Sequence, residues 1–246
     1  MKKKQAISIV IPCYNEEASL SQLAQQLLPA IDKLSRKYTV EPIFVDDGSI
    51  DRTNELLHQH FAGLANVKIV KHEKNKNLGA ALRTGFSQAS GDLVAALDSD
   101  CTYSPELIAT MIEMMDEQTH IVTVSPYHPQ GKVHNVPAHR IFLSKSASRL
   151  YKIVLGCPLH TYTAMVRVYK KEVIQNVSFE ADNFLGVTEL LVKAVLKGYQ
   201  VKELPVELEA RKFGISKMKK FPITVIGNHL SLLSTVMKHK LFRNSL

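Results

Sequence analysis

Cysteines are scarce in this sequence, and long hydrophobic runs are missing from it. The 246 residues include three cysteines, Cys13, Cys101 and Cys157, whose spacing fits neither paired disulfides nor a metal-binding motif. This pattern excludes a small secreted domain held by disulfides and favours a reducing compartment. No apolar run approaches the ~20 residues that cross a bilayer. The basic start leads into an apolar stretch that already ends at Pro12, which is too short for a secretory signal. We therefore expect a chain that is soluble or lies on a membrane surface.

Glycine and proline are also too few for a low-complexity chain, with 11 Gly and 10 Pro. A hydrophobic content of 45% with 22% charged residues excludes a disordered chain. The length is sufficient for one large domain with a substantial core.

Acidic residues are absent from the last 36 residues of the chain. Of the 31 Lys and Arg, eight lie in 211–246, and the other 23 are balanced by 23 Asp and Glu, so the net charge of +8 belongs to this end. A basic end indicates an anionic partner: a phosphate, a nucleic acid or an acidic lipid surface. Apolar residues recur in it at helical spacing, namely Ile226, Leu230, Leu233, Met237 and Leu241. An amphipathic helix is expected, which either packs on the core or lies at a membrane surface.

The first 125 residues alternate between short apolar runs and helical periodicities. Strands are predicted at 6–11, 42–45, 67–70, 93–97 and 121–125. Helices are predicted at 17–34, after an N-cap at Ser49 or Asp51, at 78–89, and from Ser104 with Pro105 at its first position. Buried strands separated by helices predict βαβ units and a parallel sheet covered on both faces.

Polar clusters follow three of these predicted strands, namely 14–16, 46–47 and 98–100. Ligands of such sheets bind beyond the carboxyl ends of the strands. Asp98 and Asp100 can present oxygen ligands to Mg²⁺ or Mn²⁺; the alternative is that they cap the following helix. The sequence thus predicts a site at one edge of the sheet.

The second half is less regular. A stretch at 126–138 contains three prolines and is expected to be a functional loop or lid, or else irregular structure. A helix at 139–155, an extended segment at 163–169, a helix at 188–196 and a closing strand at 200–206 follow, and a basic loop at 211–217 precedes the terminal helix.

Several motifs occur in order over residues 7–106: the strings 9–17, 45–49 with Asp51 and Thr53, 77–79 with Gly85, and 91–92 before 98–100. Together they resemble the family 2 glycosyltransferases. The resemblance implies an α/β protein of the GT-A fold, with a Rossmann-like, mostly parallel central sheet flanked by helices, here followed by the amphipathic helix. It implies a nucleotide-diphosphate sugar as donor, carrying GDP or UDP. The residues that match the nucleoside-binding positions are Pro12, Tyr14, Glu16, Asp46 and Asp47. Arg83 either reaches the diphosphate or is a surface arginine.

In this family the residues that match Asp98 and Asp100 hold the diphosphate through a divalent cation, Mg²⁺ or Mn²⁺. Thr102 stands where a Gln often supplies a third metal contact. A single in-line displacement of the nucleotide inverts the anomeric carbon.

The second half resembles the dolichyl- and polyprenyl-phosphate members of the family. Residues that match their phosphate-binding positions are Arg140, Ser144 and Arg211, with Ser216 and Lys217 in the same basic loop. The resemblance implies a lipid phosphate acceptor and therefore favours the membrane-surface reading of the terminal helix. We expect a cytoplasmic protein in peripheral contact with the cytoplasmic membrane face, with no nucleic-acid partner. The catalytic domain is expected at 1–210, with a nucleotide-sugar half at 1–125 and an acceptor half at 126–210; the loop and helix occupy 211–246.

The chain departs from the family pattern at two acceptor-side positions. Pro126 stands where these transferases usually carry an Arg, which Lys132, His128 or His134 can replace. Thr161 stands where an Asp general base is common. A phosphate acceptor needs no base because it is largely ionised near pH 7. A hydroxyl acceptor does need one, for which His160, Asp182 and Glu189 are candidates. Transfer to a hydroxyl and nucleotide-sugar binding without turnover therefore remain the alternative functions.

Overall fold

The central sheet is built mostly from the first half of the chain, in a computed structural model that describes residues 4–209 and 223–243. The elements of this half are β1 (Ala6–Cys13), α1 (Glu17–Ser35), β2 (Thr39–Asp46), α2 (Thr53–Phe61), β3 (Lys68–Lys71), α3 (Leu78–Gln88), β4 (Leu93–Ala96), α4 (Leu107–Glu113) and β5 (Ile121–Ser125). All five predicted strands are confirmed. Four of them are buried almost throughout, as their apolar runs predict, and seven of the eight residues of β1 are buried. The fifth, β3, lies at the edge of the sheet and is half-buried.

Two predicted helix starts were wrong. The N-cap of α2 is Arg52, and Asp51 instead accepts the amide N–H of Thr53 at 2.9 Å. Pro105 lies before α4, in a turn closed by the amide of Leu107 and the carbonyl of Ser104 at 3.1 Å. In both places a local polar turn takes up residues that the sequence pattern assigned to the helix.

The second half contains β6 (Lys132–His134), α5 (Ala138–Leu155), β7 (Arg167–Lys170), α6 (Lys171–Asn176), α7 (Leu185–Leu196), β8 (Val201–Pro205), β9 (Glu207–Glu209) and α8 (Ile223–Arg243). The stretch 126–138 is not wholly irregular, because β6 within it pairs in parallel with β9. The helix α6 was not predicted, since its six residues follow β7 directly and are too few for a helical period to show.

The strand order of the main sheet is β3-β2-β1-β4-β7-β5-β8. Every pair is parallel except those of β7, which runs antiparallel to both β4 and β5. The carboxyl ends of the other six strands therefore share one edge with the amino end of β7. This places the segment just before β7 beside the loops that follow β4 and β5.

Both faces of the sheet are covered, as predicted. Alternate residues of a strand point to opposite faces, so Ile7, Ile9 and Ile11 of β1 join a core cluster with α1, α2 and α4. Val10 joins the other cluster, with α3, α5, α6, α7 and α8. Burying each such side chain fully contributes about 1.5–3 kcal/mol.

The terminal helix α8 divides its apolar residues between two surroundings. Leu233 and Val236 are buried, 6% and 1% exposed, in the second core cluster. Ile226, Leu230 and Met237 are 44%, 55% and 52% exposed. Among the residues described, no helix combines the length and apolarity needed to cross a bilayer. The expected domain boundary at 210/211 and the basic loop at 211–217 lie outside the described residues.

Candidate active site

The loop that follows β1 is fastened to the loop that follows β2. The amide of Asn15 donates to Ser49 Oγ at 2.9 Å, and Asn15 Oδ1 accepts the amide of Ile50 at 2.9 Å. The amide of Glu16 donates to Thr53 Oγ1 at 2.7 Å. These bonds therefore hold the loop that contains the predicted nucleoside residues Tyr14 and Glu16 at the carboxyl edge of the sheet.

Asp47 braces the loop after β3. It is 2% exposed, and its Oδ1 accepts His72 Nδ1 at 2.7 Å and the amide of Lys76 at 2.9 Å. Its Oδ2 accepts Asn75 Nδ2 at 2.8 Å. The other ring nitrogen of His72 lies 2.9 Å from Thr84 Oγ1 on α3. No motif marked His72, because a single histidine after a strand carries no local signal.

Asp46 is fully buried, and one of its two oxygens lacks a hydrogen-bond donor in the part of the chain that the structure describes. Oδ1 accepts the amide of Ser49 at 2.9 Å. Oδ2 has no hydrogen-bond partner among the residues that the structure describes, and Lys71 Nζ stands 3.9 Å away. Burial and the charge of Asp46 raise the pKa of Cys13, and a hydrogen bond with Ser99 lowers it in part. The ends of β1, β2 and β4 thus meet around this carboxylate.

Asp98 and Asp100 occupy the turn that follows β4. Burial and the negative charge of Asp100 raise the pKa of Asp98 well above its usual value. Burial, and after it the charges of Asp100 and Asp98, raise the pKa of Cys101 to about 11. Cys101 has a φ of 55°, which turns the chain so that the amide of Thr102 donates to Asp100 Oδ1 at 3.0 Å. Because the N-cap of α4 is Glu106, the two aspartates do not cap that helix.

This pair fits a divalent cation. A half-buried carboxylate whose ionisation is opposed by the charge of a neighbouring carboxylate is relieved by a positive ion between the two. Within 4–209 and 223–243, no group of three or more His, Cys, Asp or Glu side chains is placed to hold a metal ion. The remaining ligands of a cation at this pair would therefore be hydroxyl, water or phosphate oxygens, and the predicted contact through Thr102 stays a prediction.

A row of polar side chains links this pair to α5. Burial first, and then the charges of Asp98, Tyr127 and Asp100, raise the pKa of Tyr103. Tyr127 shares a hydrogen bond with Ser144 on α5. The structure therefore brings the aspartate pair and the predicted phosphate contact Ser144 to one region.

Ser144 also lies 2.6 Å from Thr163, in the segment before β7. Arg140 lies one turn before it on the same helix and is half-buried. The other predicted phosphate contacts, Arg211, Ser216 and Lys217, lie outside the described residues.

Arg83 contacts the loop before α7. Its Nη1 donates to the carbonyl of Ala181 at 3.2 Å, its guanidinium lies 5.3 Å from the ring centroid of Phe179, and it forms an ion pair with Asp182. The carbonyl of Asp182 also accepts the amide of Gly79 at 2.5 Å, at the start of α3. Arg83 thus anchors the loop before α7 to α3. Its contact with the diphosphate stays a prediction.

The three candidate bases differ in how they are engaged. Glu189 binds Lys193 Nζ at 2.6 Å, and its other oxygen accepts the amide of Ala181 at 2.9 Å. Burial opposes ionisation of Glu189, but these bonds hold its pKa below the usual value. Asp182 is paired with Arg83 as described. His160 is bound through Nδ1 to Glu203 at 2.7 Å, which leaves Nε2 on the other side of the ring.

The three side chains that could replace the family arginine make different contacts. Lys132 and His134 both pair with Glu207 across the β6–β9 ladder, at 3.0 and 3.5 Å. His128 instead packs edge-on against His160, with ring centroids 5.0 Å apart.

Comparison with known sequences agrees with the motifs. The family described as Glycosyl transferase family 2 matches residues 8–178. The dolichol-phosphate mannosyltransferase of Pyrococcus furiosus is 33% identical over 219 residues, which cover 87% of this chain and 59% of that protein. The polyprenol monophosphomannose synthase of Mycolicibacterium smegmatis is 28% identical over 225 residues, covering 89% of this chain and 83% of that protein. An undecaprenyl-phosphate 4-deoxy-4-formamido-L-arabinose transferase of Edwardsiella ictaluri is 30% identical over 220 residues, 88% of this chain and 64% of that protein. The chain thus spans about three fifths of the length of two of these relatives.

Solved structures share the fold at low identity. The glucosyl-3-phosphoglycerate synthase of Mycobacterium tuberculosis, in complex with Mn²⁺, UDP and glucosyl-3-phosphoglycerate, has a TM-score of 0.66 and 20% identity, covering 97% of this chain and 80% of that one. The same enzyme with Mg²⁺ and UDP has a TM-score of 0.66 and 19% identity, covering 97% and 79%. At such identity the likeness establishes the architecture alone.

Proposed function

The chain belongs to glycosyltransferase family 2, and from that premise we propose that it transfers a sugar from a nucleotide-diphosphate donor to a polyprenyl phosphate. The predicted GT-A fold is confirmed by the mostly parallel seven-stranded sheet and by the solved structures that share it. The names of the three relatives all specify a lipid phosphate.

The observation that carries the proposal is the connection from the aspartate pair to α5. We assign Asp98 and Asp100 to the donor side and Ser144 to the acceptor side. The charges of both aspartates and of Tyr127 raise the pKa of Tyr103, and Tyr127 hydrogen-bonds Ser144. A transferase must hold the leaving diphosphate and the incoming nucleophile within one site, since proximity and orientation remove much of the barrier. We propose that this edge of the sheet holds both the leaving diphosphate and the incoming acceptor phosphate.

On the donor side, we propose that Pro12, Tyr14, Glu16 and Asp46 surround the nucleoside. A buried acceptor without a donor costs about 1–3 kcal/mol, so an N–H group of the base at Asp46 Oδ2 would recover that loss. Guanine and uracil both carry such an N–H, and the proposal accordingly covers GDP- and UDP-sugars. Asp47 acts from beneath, by bracing the loop after β3.

At the diphosphate, Mg²⁺ or Mn²⁺ would be held by Asp98, Asp100 and Thr102, and when bound it supplies positive charge to the departing diphosphate. An oxygen of the acceptor phosphate attacks the anomeric carbon while the bond from that carbon to the diphosphate oxygen breaks. This single displacement inverts the anomeric carbon. No base is required, because the attacking oxygen is already ionised near pH 7.

On the acceptor side, Arg140 and Ser144 are proposed to bind phosphate together with Arg211, Ser216 and Lys217. Apolar side chains of α5 stand exposed beside those of α8, with Phe142 and Ile153 69% and Leu150 45% exposed. The two helices are in contact, and Tyr151 of α5 hydrogen-bonds His229 of α8 at 2.9 Å.

We call this surface, made of Phe142, Leu150, Ile153, Ile226, Leu230 and Met237, the α5–α8 face. Basic residues occur along α5, and the sequence of 211–246 contains eight more. Each basic residue near an anionic bilayer contributes roughly 1 kcal/mol. We propose that the α5–α8 face lies on the cytoplasmic surface of a membrane, where the lipid phosphate is presented.

Transfer to lipid tests the proposal directly. The purified chain is incubated with labelled GDP- or UDP-sugars, a polyprenyl phosphate in detergent, and Mn²⁺ or Mg²⁺, and sugar in the organic phase is counted. Asp98→Asn and Asp100→Asn are expected to lose transfer. Asp32→Asn, which alters an exposed ion pair with Arg36 on α1, is the matched control and is expected to keep it.

Two outcomes would contradict the proposal. Sugar found only on a soluble hydroxyl acceptor would favour the second kind of transferase. Donor binding by the unaltered chain without any turnover would favour a nucleotide-sugar-binding protein.

A further inference from the structure

Three side chains from distant parts of the chain meet next to the acceptor region. Glu203 lies on β8, His160 precedes β7, and His128 follows β5. All three stand near the edge of the sheet that carries the aspartate pair, since β7 and β5 are the strands that follow β4 in the sheet order. The donor half does not use them.

Glu203 fixes the position of His160. Its side chain is 8% exposed, and Oε1 accepts the amides of His160 and Thr161 at 2.8 and 2.9 Å. Oε2 binds Nδ1 of His160 at 2.7 Å. Backbone and ring of His160 are therefore oriented together, and its side chain stays 32% exposed. With Nδ1 engaged, Nε2 accepts a proton when the ring is neutral and donates N–H when the ring is protonated.

His128 offers a second donor beside it. Its Nδ1 accepts the amide of Gln130 at 3.2 Å, so a neutral ring carries its proton on Nε2. The rings of His128 and His160 meet edge-on with centroids 5.0 Å apart. Two imidazole N–H groups at this separation can both reach one phosphate group.

The pair adjoins the acceptor side of the site. Thr161 lies 2.9 Å from Ser125 at the end of β5, and Thr163 in the same segment lies 2.6 Å from Ser144. Lys132 and His134 are already paired with Glu207. Of the three replacements considered for the arginine that Pro126 displaces, His128 is the one whose ring packs against His160.

We propose that His128 and His160 bind the phosphate of the acceptor, with Glu203 acting as the residue that positions His160. This inference rests on the proposed function and specifies which side chains recognise its acceptor. The titratable groups that face His160 are Glu203 from β8 and His128 from the loop after β5, and the phenol of Tyr162 also senses the charge of Glu203.

Kinetics with the full chain and a polyprenyl phosphate in detergent micelles test the assignment. His160→Gln and His128→Gln remove the imidazole ring but keep a polar side chain of similar reach. Each is expected to raise the KM for the acceptor roughly tenfold, the loss of one hydrogen bond to a charged group, with kcat and the donor KM unchanged. His58→Gln, an exposed histidine on α2, is the matched control and keeps the behaviour of the unaltered chain.

A spectroscopic readout separates recognition from folding. A short-chain prenyl monophosphate should shift the ring resonances of His128 and His160 in the unaltered chain, and the corresponding prenol should not. Inorganic phosphate producing the same shifts would show that the phosphate group alone is recognised, which also supports the assignment.

Several results would overturn it. An unchanged acceptor KM in both glutamine variants, while the unaltered chain makes lipid-linked sugar, removes this assignment and leaves the proposed function standing. A fall in kcat at unchanged acceptor KM in His160→Gln would make His160 a general base for a hydroxyl acceptor instead. A chain that makes no lipid-linked sugar at all overturns the proposed function, and this assignment with it.

Discussion

Replacing Asp47 by alanine separates a bracing role from direct nucleoside contact. The structure has Asp47 accept three hydrogen bonds, from His72, Asn75 and Lys76. The truncation leaves all three donors without this acceptor, and the ring of His72 among them is buried. Each loss costs about 1–3 kcal/mol, so we expect Asp47→Ala to lower the free energy of unfolding by about 4 kcal/mol. For a domain of this size that corresponds to a fall in Tm of about 8–16 °C.

The isosteric variant sharpens this test. Asp47→Asn keeps Oδ1 for His72 and Lys76, and the side-chain amide of Asn75 can turn to accept from the new NH₂ group. We expect Asp47→Asn to lose only about 1–2 kcal/mol and to keep its affinity for the donor. Urea unfolding and calorimetric titration with GDP- and UDP-sugars measure the two quantities. If Asp47→Ala cost less than about 1 kcal/mol, or if Asp47→Asn lost donor affinity at full stability, the bracing argument would be wrong and Asp47 would contact the nucleoside.

Three further predictions concern other parts of the site. Burial and the neighbouring carboxylate raise the pKa of Asp98, so the folded state holds the carboxyl proton more tightly than the unfolded chain does. The free energy of unfolding therefore falls as pH rises from the ordinary carboxyl range towards the raised pKa. Asp98→Asn should lack this fall in thermal melts recorded with a chelator. Gly48 has a φ of 71° and an added Cβ would lie 2.3 Å from a backbone carbon of the loop after β3, so Gly48→Ala should destabilise by more than about 1 kcal/mol, whereas Gly63→Ala, in open space, should not. Ile153→Glu and Ile226→Glu should reduce co-sedimentation with anionic vesicles at unchanged Tm.

Each of these has a clear contrary result. A pH dependence of stability that is identical in Asp98→Asn would mean that Asp98 is not the group titrating. Equal melting temperatures for Gly48→Ala and Gly63→Ala would show that the loop after β3 yields at no cost. Undiminished vesicle binding by both glutamate variants would remove the α5–α8 face from the membrane contact.

The strands and the position of the site were predictable because both depend on local patterns. A buried strand reads as an apolar run, and the polar turn at its end follows directly in the chain, as at Asp46 and Asp98. The antiparallel direction of β7 was not predictable in this way, since its extended segment carries no mark of direction. The pairing of β6 with β9 was missed for a similar reason, because two three-residue strands joined across the fold have no local period.

Side-chain roles required the tertiary structure most of all. Asp46 and Asp47 are adjacent and look alike in the sequence. Among the described residues, one oxygen of Asp46 accepts no hydrogen bond, whereas Asp47 accepts hydrogen bonds from three donors. No local pattern distinguishes His160 from the other nine histidines of the sequence. Its orientation is set by Glu203, which lies 43 residues away in the chain.

The sequence by itself therefore determined the family, the α/β architecture and the edge of the sheet where the acidic pair stands, because apolar periodicity and contiguous motifs are properties of neighbouring residues. Folding decided that Asp47 braces a loop whereas Asp46 does not, and which face of α8 packs and which stays exposed. These outcomes depend on partners that come together only when β8, α5 and the loop after β3 are packed in place.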